Sequence, residues 1–243
     1  SRGQTNRQSP AKSMAFRQAF RVLAQRAPVA TAAAATALAV APPSRCDWWS
    51  SKKPSAPAPA AAAAPPVVEP KTGVQFPAEQ GGLKLAGCGV RVKYGFIKVY
   101  AVGVYVSPRV ALDKRAASPL AALRTARRDG AVVELRLTMA RDVAKKTFVD
   151  ALAEQITPRA GAPQSDTFAA AITGGLRDPT PEGSTTTIRL DPDGTISVLD
   201  DTGLVTAHVV VPAVCDAFLD IYLGADGISP TTLEAVQAGL EKF

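Results

Sequence analysis

Between Leu83 and Ser107 the chain reads LKLAGCGVRVKYGFIKVYAVGVYVS, and within this apolar, β-forming stretch Arg91 and Tyr100 are the two polar side chains best suited to a functional site. A guanidinium offers an oxyanion two parallel charge-assisted hydrogen bonds, and a phenol adds a donor that brings no further charge. Metal chemistry has no comparable footing. His208 is the only histidine, and Cys46, Cys88 and Cys215 lie far apart, with no two ligands at zinc spacing and no pattern of a disulfide framework. No cofactor or metal is expected, and His208, beside a Val-Val-Val run, is read as structural.

The elements that must hold Arg91 and Tyr100 follow from the pattern around them. A short first strand over Gly73 to Glu79 ends at Pro77. A second strand, Leu83 to Leu85 with Val90 to Lys93, is interrupted at the Gly87-Cys88-Gly89 break. The long run Phe96 to Val106 has no proline and alternates faces, with Lys98, Tyr100, Val102 and Val104 on one side and Ile97, Val99, Ala101, Gly103 and Tyr105 on the other. Gly103 leaves room for a close neighbour. A helical region over Val110 to Arg128 precedes a strand at Ala131 to Met139. Asp142 is placed to cap a helix whose apolar stripe is Val143, Phe148, Ala151, Leu152 and Ile156. A further helix spans Ser165 to Ile172.

Strands Ser184 to Leu190 and Thr195 to Leu199 join through Asp191-Pro192-Asp193-Gly194, a hairpin signal. Pro212 opens a helix that buries Val211, Cys215, Phe218, Leu219, Tyr222 and Leu223 and stops at Gly224, and Ser229-Pro230 opens a last one. Strands, helix, strand, helices, hairpin and helices make an α+β order with an antiparallel sheet.

Charge is unevenly distributed along the 243 residues. Ten of the 28 Lys/Arg but two of the 21 Asp/Glu precede Thr72, so the formal +7 divides into +8 there and −1 in the remainder. A nucleic-acid binder carries its basic footprint on the folded part, and this chain does not, so nucleic acid is excluded as a partner.

Residues 1–13 are polar and patternless and stand apart as a non-native or upstream segment. Residues 14–47 form an organelle-targeting leader, with Arg17, Arg21 and Arg26 beside Phe16, Phe20, Val22 and Leu23 and no acid until Asp47. Mitochondrial import is expected, with the plastid as the alternative, because plastid signals are richer in serine. Val29 to Ala41 is short and weakly apolar for a span that wants about 20 apolar residues. Residues 48–71 are an Ala/Pro-rich linker, and residues 72–243 are the folded domain. Membrane association is expected through the leader.

Three stretches together resemble the chalcone isomerase family: GCGVR with FIKVYAVGVYV, then LRLTMARDVAKKTFVDAL, then FLDIYLGADGISP. The resemblance runs from about Gly73 to the end. It implies a chalcone isomerase-like fold, with an antiparallel β-sheet packed with helices on one face. Members that catalyse the isomerisation close a phenolate onto an enone using an arginine, two threonines, a tyrosine and an asparagine. Residue by residue, the arginine matches Arg91. Tyr100 stands at the first threonine, Val143 at or near the tyrosine, Asp150 at or near the asparagine and Ile221 at the second threonine.

Valine and isoleucine have no side-chain donor, and an aspartate would repel a developing enolate. Losing one such donor typically slows a reaction ~100-fold or more, so no catalytic residue is expected. What remains, Arg91 with Tyr100, is the pair to which the non-catalytic, fatty-acid-binding branch is similar. The resemblance implies a fatty acid or other small amphiphile whose carboxylate meets Arg91 and Tyr100. Its tail would lie in an apolar cleft lined by Met139, Phe148 and Ile221, with burial supplying ~0.8 kcal/mol per CH₂.

Two rival functions stand beside this one. The first is an intramolecular lyase on another substrate, with Arg91 and Tyr100 as electrophilic groups. The second is a membrane-tethered interaction module whose pocket is filled by side chains. Each residue also has a plain structural reading: Arg91 as a cap for loop carbonyls, Tyr100 as a core tyrosine, and Met139, Phe148 and Ile221 as ordinary core.

Overall fold

The computed structural model describes residues 64–108 and 116–243. The leader and the start of the helical region expected from Val110 lie outside the described residues.

A two-stranded ribbon, β1 (Val67–Val68) with β2 (Gln75–Phe76), precedes a seven-stranded sheet. That sheet holds β3 (Glu79–Gln80), β4 (Leu83–Lys93), β5 (Ile97–Val106), β6 (Val133–Met139), β7 (Thr185–Leu190), β8 (Thr195–Leu199) and β9 (Val205–Val210) in chain order. Every neighbouring pair is antiparallel. Helix α1 (Pro119–Arg128) lies between β5 and β6, α2 (Lys145–Ala160) and α3 (Ala162–Thr173) between β6 and β7, and α4 (Pro212–Leu223) and α5 (Pro230–Leu240) after β9. This is the expected α+β class. The main core lies between the sheet and the helices, where Val102, Val104, Leu135 and Leu137 meet Leu152, Phe168, Phe218 and Val236.

A smaller cluster of Phe76, Leu83, Ala101 and Tyr105 covers the opposite sheet face. Gly103 makes it possible, because a Cβ there would stand 2.5 Å from the Phe76 ring.

Glycines also decide how α5 sits. A Cβ on Gly89 would come within 2.4 Å of the Thr232 backbone nitrogen, and one on Gly87 within 2.5 Å of that of Val236, so only glycine lets the helix lie directly on β4. Two hydrogen bonds fasten the contact: the Val90 amide donates to Thr231 Oγ1 at 3.1 Å, and Ser229 Oγ donates to the Val90 carbonyl at 2.8 Å. Helix α4 is fixed from its flanks by ion pairs, Arg127 to Asp216 at 3.0 Å from α1 and Arg159 to Asp220 at 2.8 Å from α2.

Several local expectations change. Helix α1 begins at Pro119 because Ser118 Oγ accepts the Ala121 amide at 3.2 Å and so caps the first turn there. Asp142 does not cap α2. Its carboxylate accepts the Glu182 amide at 2.8 Å, and the Lys145 amide donates instead to Asp178, a cap from 33 residues away. Strand β9 is unanticipated. Ala207 and Val209 pack against the main core while Leu204, Val205 and Val210 are exposed, and His208 is exposed opposite Ser197. Val67–Val68, within the stretch read as linker, are already paired as β1.

Alternation along β5 also breaks once. The register passes from Arg91 opposite Tyr100 to Val92 opposite Lys98, which leaves Val99 as the extra residue of a β-bulge. Val99 therefore packs against the helix-side core instead of sharing the far face with Ala101.

Candidate functional site

Arg91 on β4 and Tyr100 on β5 are cross-strand partners, and the bulge begins immediately beyond them. Arg91 Nη1 donates to Tyr100 Oη at 3.2 Å, and the guanidinium carbon lies 5.6 Å from the Tyr100 ring centroid. Tyr100 Oη is also 2.7 Å from Tyr222 Oη, at the end of α4. The three polar groups form one buried chain, with Arg91 8% exposed and both phenols fully enclosed. Phe148 of α2 meets the Tyr100 ring edge-on, with centroids 6.3 Å apart and planes at 83°.

Proton accounting shows what this chain leaves available. Tyr100 Oη accepts from Arg91, and the two phenols share one hydrogen bond whichever oxygen donates. One phenol hydrogen is therefore uncommitted. Among the described residues the Arg91 guanidinium has no other hydrogen-bond acceptor and no carboxylate within ion-pair distance. Burial is the largest influence on its pKa and acts downward. Tyr100, then Tyr222 and the more distant Glu154, outweigh it and move the value up, so Arg91 is cationic. Burial first, and Tyr100 second, push the Tyr222 phenol well above the ordinary tyrosine range, which keeps it a neutral donor. The cation has unfilled donors beside a spare phenol hydrogen, a geometry able to donate to an anion.

The sequence-derived residues divide as follows. Arg91 and Tyr100 come together, Phe148 touches Tyr100, and Met139 is the cross-strand partner of Tyr100 from β6. Ile221 is buried in the same core cluster as these residues. Of the positions where catalytic members carry polar groups, Val143 makes a backbone bridge to Thr180, and Asp150 is exposed and paired with Lys146 at 2.5 Å. A cavity of about 680 Å³ lined by Leu120, Leu223, Leu233 and Leu240 involves none of the five predicted residues. Charge and hydrogen-bond geometry, rather than open volume, single out the Arg91 site.

Tyr222 is the residue that the sequence reading passed over. Its place in an apolar helical stripe marked it as core, while the family pattern drew attention to its neighbour Ile221. A buried tyrosine needs a partner for its hydroxyl, and that requirement was the available signal.

The described fold can be set beside known proteins. A family model described as chalcone isomerase-like matches residues 68–232. The crystal structure of an Arabidopsis thaliana fatty-acid binding protein superposes with a TM-score of 0.56 at 24% identity, covering 72% of this chain and 98% of that one. No curated protein matches the chain. The family match takes in β4, β5, the β6-to-α2 passage and α4, which are the elements that assemble the buried Arg91 chain, and the chain belongs to the chalcone isomerase-like family.

Proposed function

We propose that the protein binds a long-chain fatty acid or a similar amphiphilic carboxylate at Arg91 and does no chemistry on it. The observation that carries this reading is a guanidinium, nine-tenths buried and without a carboxylate partner among the described residues, hydrogen-bonded to a closed pair of phenols. A ligand carboxylate supplies the missing charge, and Arg91 with one phenol gives it up to three donors. Met139, Phe148 and Ile221 are closed on one another in the core and must part to take the tail. The structural likeness to a fatty-acid binding protein supports the same choice. Catalysis is disfavoured because the positions at Val143 and Ile221 offer no side-chain donor to an enolate.

Native mass spectrometry of the purified chain tests the reading. A co-purified acid, or uptake of added long-chain acid, is expected, and removal of the cation in Arg91→Ala should weaken uptake ten-fold or more, from the ~1.5–3 kcal/mol of a charged hydrogen bond. An empty protein that accepts no acid overturns it. The basic leader around Arg17, Arg21 and Arg26 supports mitochondrial delivery, which import into isolated mitochondria with processing of the leader would test.

A further inference from the structure

The turn that joins β4 to β5 carries an aromatic pair that the folded domain does not use. Lys93 pairs with Ile97, so Tyr94, Gly95 and Phe96 form a three-residue turn. Tyr94 is 73% exposed and Phe96 77% exposed. The backbone holds this display, with Tyr94 at φ 55° and Gly95 at φ 79°, both in the left-handed region. An isolated apolar side chain in water is ordinary, but two such exposed aromatic rings two residues apart on one turn are concentrated apolar surface.

Cations flank the foot of that turn. Lys93 Nζ lies 5.1 Å from the Tyr94 ring centroid, and Lys98, exposed at the other foot of the turn, donates to the backbone carbonyl of Lys71, itself exposed. From the adjoining strand, the Ala140 amide bonds the Val99 carbonyl at 3.0 Å and so places exposed Arg141 beside this end of β5. Asp142, next in that loop, is an exposed carboxylate turned onto the Glu182 amide, so the acid lies on the Glu182 side of Arg141. Aromatic rings flanked by lysines are the side chains that a phospholipid interface accepts, rings at headgroup depth and ammonium groups against anionic phosphate or carboxylate. Arg91 lies two residues below Lys93 on the same strand, about 7 Å at ~3.3 Å per residue.

We propose that the Lys93–Lys98 turn docks the folded domain on an anionic phospholipid bilayer, with Tyr94 and Phe96 entering the headgroup layer and Lys71, Lys93 and Lys98 against its charge. The bilayer contact itself stands apart from the ligand reading. That an acid then passes from the leaflet to Arg91 rests on the function proposed above.

Hydrogen exchange on the full chain, with vesicles of phosphatidylcholine alone or phosphatidylcholine with phosphatidylserine, reads the turn separately from the leader. Exchange across 93–98 is expected to slow with the anionic vesicles only. Tyr94→Ser with Phe96→Ser, both solvent-facing changes that leave the melting temperature unchanged, should abolish the slowing there while contacts made by the leader persist. Each lysine replaced by alanine should weaken the turn's contact about five-fold. The double serine variant should also collect acid from anionic vesicles at least ten-fold more slowly, with unchanged affinity for acid in free solution. Slowing at 93–98 in a protein that takes up no acid supports the docking turn and sinks the ligand reading instead. Unaltered exchange at 93–98 with anionic vesicles, or slowing there that requires an added protein, overturns the proposal.

Discussion

Tyr100 Oη and Tyr222 Oη lie 2.7 Å apart and tie the centre of the sheet to the end of α4 across 122 residues of sequence. The packed ring places the Tyr100 oxygen, and this bond joins the same oxygen that accepts from Arg91. Removing it in Tyr222→Phe leaves the ring in place. The expected result is a loss of about 1 kcal/mol in stability and a several-fold weaker hold on a fatty acid, read by chemical denaturation and by titration. Unchanged affinity would assign Tyr222 to the core alone.

Arg91 is a buried charge with no ion-pair partner among the described residues, yet its bond to Tyr100 and the groups around it outweigh the cost of burial, so the charged guanidinium supports the ligand-free fold. Arg91→Met should therefore lower the melting temperature of ligand-free protein and also abolish tight binding of acid. A rise in melting temperature would show that the buried charge costs the empty fold more than its contacts return.

Alkaline pH should unfold the protein through groups that the fold keeps neutral. Burial pushes the Cys88 and Cys215 thiols up to about 11 and the Tyr105 phenol up to about 12. Tyr222 moves in the same direction. The unfolded chain releases these protons first, at its ordinary thiol value of 9.0 and phenol value of 10.0. Stability is thus complete below about pH 9 and is lost as pH rises toward 11 and 12. Denaturant midpoints measured from pH 8 upward test this, and Cys215→Ala should flatten the first part of the decline. The same shift keeps both thiols protonated, so Cys88 should react slowly with alkylating reagents at neutral pH.

Helix α5 rests on β4 through Gly87 and Gly89. Gly89→Ala drives a methyl to 2.4 Å from the Thr232 nitrogen, and the helix must lift. The expected cost is ~1–3 kcal/mol, with weakened ligand binding because the strand that carries Arg91 shifts. Calorimetry and titration of the same variant show whether the two losses travel together.

What could be read from the sequence follows the range of the forces involved. The long strand expected over Phe96 to Val106, the Asp191-to-Gly194 hairpin and most of the apolar stripes of α2 and α4 are written in local periodicity, and they stand with small changes: β5 starts at Ile97, and Val143 and Val211 fall just before their helices. Arg91 and Tyr100 were legible as polar groups in an apolar setting, and the family pattern paired them. The cap that Asp178 gives to α2 was not legible, since the partner lies 33 residues away. The bulge at Val99 has no local signature and turns that side chain toward the helices. Strand β9 was missed because Val205 to Val210 show one face to water, so their apolar character marked no clear alternation. Tyr222 was seen but read as packing, because the hydroxyl opposite it belongs to a strand that only the assembled sheet brings near.

The clasp between Val90 and the Ser229-to-Thr232 corner reaches across 139 to 141 positions of the chain. A polypeptide emerging from a ribosome cannot close that clasp until Ser229 to Thr231 are free. The strand that carries Arg91 is accordingly among the last parts to be locked down, and a product cut short before Ser229 would present β4 with no cover for its glycines.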